Sequence, residues 1–126
     1  MHAGEGNNDF ASLPTVPEKL HTDSDGIPVL KVYNTQTKSI EEMDLESYIM
    51  GVVAGEMKND WPLEALKAQA ILARTFTLKF VSDKNSAYEG ADISTDVKEA
   101  QAYNANAIND RIRKAVNATR GVVMKA

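Results

Sequence analysis

At 126 residues, 43% of them hydrophobic and 25% charged, the chain has material for one modest core and not for two domains. A formal net charge of −4 argues against a nucleic-acid partner, because phosphate binding needs a basic surface. Cysteine is absent and the two histidines, His2 and His21, sit in a polar leader, so thiolate chemistry, disulfides and cysteine- or histidine-based metal sites are set aside.

No stretch reaches the apolar length of a bilayer-spanning helix. The opening MHAGEGNNDF lacks the basic start and apolar run of a signal peptide, so any signal or anchor of an exported protein would lie outside this chain. Residues 1–26 are rich in Gly, Asn, Asp, Pro and Ser and read as a flexible leader or an expression remnant. Ile27–Tyr33 alternates apolar and polar residues as a strand does, with Pro28 suited to its start or to an edge. Asn34–Lys38 carries turn chemistry, and Ser39–Met43 is expected to pair back.

Asp44 is a suitable N-cap for a helix running to about Met57. Leu45, Tyr48, Ile49, Val52 and Val53 form its apolar stripe at 100° per residue, and Glu56 falls inside that stripe. Gly51 and Gly55 lie on one side of this helix, each costing about 1 kcal/mol relative to alanine. Their spacing implies close approach by another element or by a ligand, with packing the favoured explanation. Lys58–Trp61 breaks the helix and Pro62 opens the next, expected to run to about Val81. Leu63, Leu66, Ala70, Ala73, Phe76, Thr77 and Phe80 share a broad face of it, which makes it the central helix. Ser82–Tyr103 reads as an irregular connection with a short extended piece near Gln101–Tyr103. A third helix is expected from about Ala105 to Arg120, stopped by Gly121, with a strand starting at Val122. The sum is an α+β fold over residues 27–126, a single small domain of about three helices packed on a small antiparallel sheet.

A glutamate on the core side of a helix end has two roles open to it. Burial and the negative end of the helix dipole favour a carboxyl that keeps its proton near neutral pH, as a general acid must. The alternative is an ion pair or hydrogen bond tying Glu56 to a neighbouring helix, and pattern alone favours that structural role. Other acids nearby read as polar-face or turn residues. Arg74, at the margin of the second helix's apolar face, either pairs with Glu56 or orients a ligand. Gln69 near the middle of that face needs a partner for its amide, from the first helix or from a polar ligand. Trp61, the one tryptophan, either plugs the core, as is commoner, or offers a ring to a sugar. Glu64 and Lys67 are spaced for an intrahelical pair. The basic residues Arg111, Arg113, Lys114 and Arg120 read as a solvated face.

The segment DLESYIMGVVAGEMKNDWPLEALKAQAILARTF resembles the signature of the stage II sporulation protein D (SpoIID/LytB) family, and AVNATRGVV is similar to its closing motif. The resemblance runs from Leu45 to Val123. It implies an extracytoplasmic bacterial protein of the cell wall or forespore intermembrane space, whose partners are peptidoglycan glycan strands and, for some members, a cell-wall amidase that they stimulate. Sporulation members are lytic transglycosylases acting in engulfment on strands stripped of stem peptides. The family's catalytic glutamate, in GVVAxEM, maps onto Glu56, which shifts the balance toward catalysis; Gln101 and Tyr103 match its Gln-x-Tyr motif. The implied chemistry needs no cofactor and no metal, since the sugar's own C6 hydroxyl closes a 1,6-anhydro ring and one carboxyl serves as acid and base. The rival expectation is a non-catalytic glycan-binding module that activates an amidase. A third possibility is a scaffold in which Glu56 and Arg74 form a buried pair. Two departures stand out. Ser94 and Ala100 occupy positions where many relatives carry cysteines, which removes any zinc site, and the expected continuation after the TRG motif is cut off at Ala126.

Overall fold

The computed structural model describes residues 10–12, 20–58 and 60–125. In chain order it contains β1 (Phe10–Ser12), β2 (His21–Thr22), β3 (Pro28–Asn34), β4 (Ser39–Asp44), α1 (Leu45–Glu56), α2 (Leu63–Asp83), β5 (Ile93–Ser94), a 3-10 turn (Ala105–Ala107), α3 (Asp110–Ala118) and β6 (Val122–Met124). Three helices on a small sheet are thus as expected, in one small domain.

The hairpin forms as its pattern predicts, β3 and β4 pairing antiparallel from Val29↔Asp44 to Asn34↔Ser39. Its turn is built by Asn34, whose Oδ1 accepts from the Gln36 and Thr37 amides while Lys38 takes a positive φ of 57°. The other edge of β3 is shared. β2 pairs antiparallel with its start, and β5 lies parallel beside Val32 and Tyr33. β5 was not foreseen, because two residues carry no periodicity. Asp92 lengthens the pairing from its own backbone and side chain, its N–H donating to Lys31 O at 2.7 Å and its Oδ2 accepting from Lys31 N at 2.9 Å.

Leu30 and Val32 on the inner face of β3 meet the fully buried stripe of α1: Leu45, Tyr48, Ile49, Val52 and Val53. Leu66, Ala70, Ala73 and Val81 of α2 and Ile112, Ala115 and Val116 of α3 close the core from the far side. The alanines of α2 keep that helix close to its neighbours, and it contacts α1, α3, β5 and β6, the central position expected of it. The cap of α1 is also as expected, with the Asp44 carboxylate accepting from Ser47 N at 2.7 Å. The third helix starts five residues later than its apolar pattern suggests. Asn109 caps it by accepting from Ile112 N at 2.9 Å, and Ala105–Ala107 is only a 3-10 turn. Gly121 follows with φ 74°, a backbone state that suits glycine.

The stretch assigned to a leader contains structure. Phe10–Ser12 pairs antiparallel with β6, His21–Thr22 pairs with β3, and Leu20 joins the core. Residues 1–9 and 13–19 of that stretch lie outside the described residues.

Glu46, expected on a polar face, is instead 2% exposed and holds Arg74, which is 0% exposed. The guanidinium donates from Nε to Glu46 Oε2 at 3.1 Å and from Nη2 to Oε1 at 2.6 Å. It also donates to the carbonyls of Val122 (2.8 Å) and Val116 (3.4 Å), so one side chain ties α1, α3 and β6 to α2. The buried glutamate–arginine pair considered for Glu56 exists, and Glu46 is the partner.

The long connection between α2 and α3 is ordered by Tyr88, whose hydroxyl donates to Asp96 Oδ2 at 2.7 Å and whose ring stacks on Tyr33 with centroids 4.1 Å apart. That hydroxyl, and then the Lys98 N–H, hold the Asp96 carboxyl below the usual carboxylate range. A lowered carboxyl pKa stabilises the fold above the ordinary aspartate value, and the contribution is lost as pH falls through the lowered one. Tyr88→Phe is expected to move the Asp96 titration, followed by carboxyl-carbon NMR, upward toward that of a free aspartate. An unchanged midpoint would contradict the assignment.

Candidate functional site

Glu56 is the last residue of α1, beyond the reach of the core that covers Val52 and Val53. Its side chain is exposed, so the expectation of a carboxyl buried among apolar neighbours is corrected. The angular position was right, but the elements that cover the stripe stop one turn short of the helix end. Met57 leaves the helix in extended conformation, its N–H still bonded to Val53 O at 3.0 Å. The Glu56 carboxylate accepts the Ala102 N–H at 3.2 Å, and this contact sets its direction.

The segment that supplies Ala102 crosses the last two turns of α1, and the two glycines make room for it. A Cβ on Gly55 would stand 2.5 Å from Tyr103 N and 2.8 Å from Ala102 C, while one on Gly51 would collide with the Tyr103 ring. Asn104 N donates to Gly51 O at 3.0 Å, fixing the crossing from its other end. The close approach inferred from the glycine spacing is therefore packing by residues 102–104. Gln101–Tyr103, expected as a short extended piece, forms neither helix nor strand. Gly55→Ala is expected to destabilise the domain by about 1–3 kcal/mol through overpacking, despite alanine's better helix propensity. Loss of hydrogen-exchange protection at the Ala102 amide should accompany the lower melting temperature. A variant as stable as the parent would show that the crossing is not this tight.

Tyr103 lies half-buried in that crossing, stacked on Tyr48 at a centroid distance of 5.5 Å, its hydroxyl 3.7 Å from Met43 Sδ. Burial pushes both phenols up from their ordinary value, Tyr48 further than Tyr103. Tyr48, in turn, donates to Ser94 O at 2.9 Å, which locks α1 to β5. Gln101 is 8% exposed and gives its Nε2 to Thr77 Oγ1 at 3.0 Å, anchoring the crossing segment to α2. Gln101 and Arg74 are turned into the fold and present no face to a ligand. Gln69 is half-buried on α2. Trp61 is 42% exposed, so it does not plug the core; its carbonyl and that of Asp60 accept from Arg111 Nη1 at 3.2 and 3.0 Å. Arg111 thus braces the loop that follows Glu56, a role that a run of basic residues did not reveal. Of the other paired charges, Glu64–Lys67 forms as expected at 3.0 Å.

The structure brings together Glu56, the backbone of Ala102 and the ring of Tyr103 on one side of α1. Two cavities of about 200 and 230 Å³ lie elsewhere, beside Phe76 and Phe80 on α2 and beside His21 and Asp92. Neither touches Glu56, whose side chain is exposed. No described helix is long and apolar enough to cross a membrane.

Comparison with known proteins gives this geometry a context. The family model described as stage II sporulation protein (SpoIID) matches residues 33–125. Stage II sporulation protein D of Bacillus subtilis is 41% identical over 80 residues, which cover 62% of this chain and 23% of that protein. An uncharacterised protein of Brachyspira hyodysenteriae is 38% identical over 89 residues, 70% of this chain and 24% of its own length. The amidase enhancer of B. subtilis is 34% identical over 77 residues, 61% of this chain and 10% of its own. The chain therefore spans about a quarter or less of the length of these relatives. The family match embraces the hairpin turn, all three helices, Glu56 and the crossing segment that fixes it, and the chain belongs to the stage II sporulation protein (SpoIID) family.

Proposed function

We propose that this domain acts outside the cytoplasmic membrane on peptidoglycan, cutting glycan strands as a lytic transglycosylase with Glu56 as both acid and base. The observation that carries this is a carboxylate at the surface, held in direction by one backbone N–H and accessible to a polymer. Oε2 is occupied by Ala102, and Oε1 has no partner among the described residues. In the proposed reaction Glu56 gives its proton to the glycosidic oxygen as the C1–O bond breaks. The C6 hydroxyl of the same sugar attacks C1 and returns its proton to Glu56, leaving a 1,6-anhydro end. Glycosidases of the two-carboxylate kind need a second acid to activate water or attack the sugar. Here the nucleophile comes with the substrate. Because Glu56 is exposed, the dry surroundings that strengthen proton transfer have to be supplied by the bound strand itself.

The test is mass spectrometry of products from peptide-free glycan strands. Anhydro ends are expected; reducing ends, or no cleavage, would overturn the proposal. Similarity to an amidase enhancer favours a second reading, in which the domain binds glycan and activates a wall amidase without cutting. That reading requires amidase stimulation to survive the loss of the Glu56 carboxyl.

A further inference from the structure

We propose that the cavity between the β3–β4 turn and the segment after Tyr103 is a subsite for one N-acetylated sugar of a glycan strand, reading its acetamido group through neutral carboxamides. The choice of sugar rests on the glycan-strand function proposed above; the polarity of the ligand rests on the cavity itself.

The cavity holds about 90 Å³, room for roughly three waters and so for an acetamido or hydroxymethyl group rather than a whole ring. Thr35 and Gln36 come from the hairpin turn, Thr95 follows β5, Tyr103 and Asn104 come from the crossing segment, and Asn106 lies in the 3-10 turn that follows it. Among the described residues, no lysine, arginine, aspartate or glutamate lines it. The side-chain amides of Gln36, Asn104 and Asn106 have no partner among the described residues, unlike that of Asn34, whose oxygen accepts within the turn and whose nitrogen donates to Glu41. A carboxamide both donates and accepts, which matches an acetamido group on both of its polar atoms. The hydroxyls of Thr35 and Thr95 lie 3.1 Å apart, and Thr95 Oγ1 also accepts from Thr35 N. One proton serves the contact between them, so the second hydroxyl keeps a proton to give elsewhere. A stem peptide, with its carboxylates and amine, would find no counter-charge on this wall.

Position links the cavity to Glu56. Ala102 N holds the carboxylate and Asn104 N holds Gly51 O, two residues or at most about 7 Å of extended chain away. The proposal has a strand whose scissile bond lies at Glu56 set a neighbouring sugar, one or two units along, at the cavity mouth.

The experiment titrates the Glu56→Gln protein, which keeps the glycan uncut, with a β-1,4-linked tetramer of N-acetylglucosamine, following amide shifts by NMR. Shifts are expected at Thr35, Gln36, Asn104 and Asn106. Replacing Asn104→Ala and Asn106→Ala together should weaken binding by roughly 5- to 30-fold, at about fivefold per lost hydrogen bond, with an unchanged melting temperature because both side chains are exposed and unpartnered. A glucose tetramer, which lacks the acetamido group, should bind more weakly and be indifferent to the two asparagines. The inference is overturned if the tetramer does not bind, if the double variant binds it equally well, or if a free stem peptide shifts the same amides. Anhydro products made by a protein that fails these tests would leave the cleavage proposal standing. Asparagine-dependent binding by a protein that yields no such products would leave only the subsite.

Discussion

Glu46→Ala is expected to cost about 3–5 kcal/mol, because it strands a guanidinium in the core rather than merely removing a contact. Small domains are held by only about 5–15 kcal/mol, and each kcal/mol moves the melting temperature of a domain this size by about 4–8 °C. The variant should therefore melt roughly 12 °C or more below the parent, or fail to fold. Arg74 would still face the carbonyls of Val122 and Val116, which neutralise no charge. Exchanging both partners for apolar residues, as in Glu46→Leu with Arg74→Met, should recover much of the loss, since a buried pair costs its desolvation and the double variant avoids that cost. Recovery would not be complete, because the Val122 carbonyl loses its donor at the start of β6. Thermal denaturation of the three proteins decides the matter. A Glu46→Ala protein melting within a few degrees of the parent would show that the pair is not sealed from water.

Glu56→Gln should behave in the opposite way, although both glutamates belong to the same helix. The side chain is exposed and the glutamine carbonyl can still accept the Ala102 N–H, so the melting temperature should hardly move. Cleavage of peptide-free strands should fall by roughly 10²–10⁴-fold, the range a positioned general acid supplies, with substrate affinity retained. Equal loss of stability and activity would assign Glu56 to the scaffold. Cleavage that persists at the parental rate would remove it from the chemistry altogether. With both results as expected, the two substitutions would divide α1 into a structural first turn and a chemical last one.

Much of this arrangement is legible in the residues. Asp44 announces the start of α1, the alternation of Ile27–Tyr33 announces β3, and Gly51 with Gly55 announces a close crossing. In each case a local rule and the tertiary structure agree. Glu46 is harder to read: it lies about 20° beyond Val53, just outside the edge of the apolar stripe, whereas Glu56 falls inside it. The same wheel that puts Glu56 toward the core leaves Glu46 at the margin, from which its side chain turns inward to Arg74. What a wheel does not contain is how far along the helix its neighbours extend, and that alone separates the sealed first turn from the open last one. β5 and the bracing by Arg111 are invisible for another reason. Each depends on a partner distant in sequence, Val32 and Tyr33 for β5 and the Asp60 and Trp61 carbonyls for Arg111. The cavity beside Asn104 and Asn106 has the same origin, since its walls meet only after the hairpin turn and the crossing segment are folded together.

The antiparallel ribbon of β1 and β6 sets how the domain responds to mechanical load. Phe10 lies opposite Met124 and Ser12 opposite Val122, so both outer ends of the described fold emerge from the same end of one ribbon. Tension applied across those ends peels the ribbon open one rung at a time instead of shearing all its rungs together. At the ribbon's last rung the pull arrives at Val122, where the guanidinium of Arg74 grips the carbonyl from inside the core.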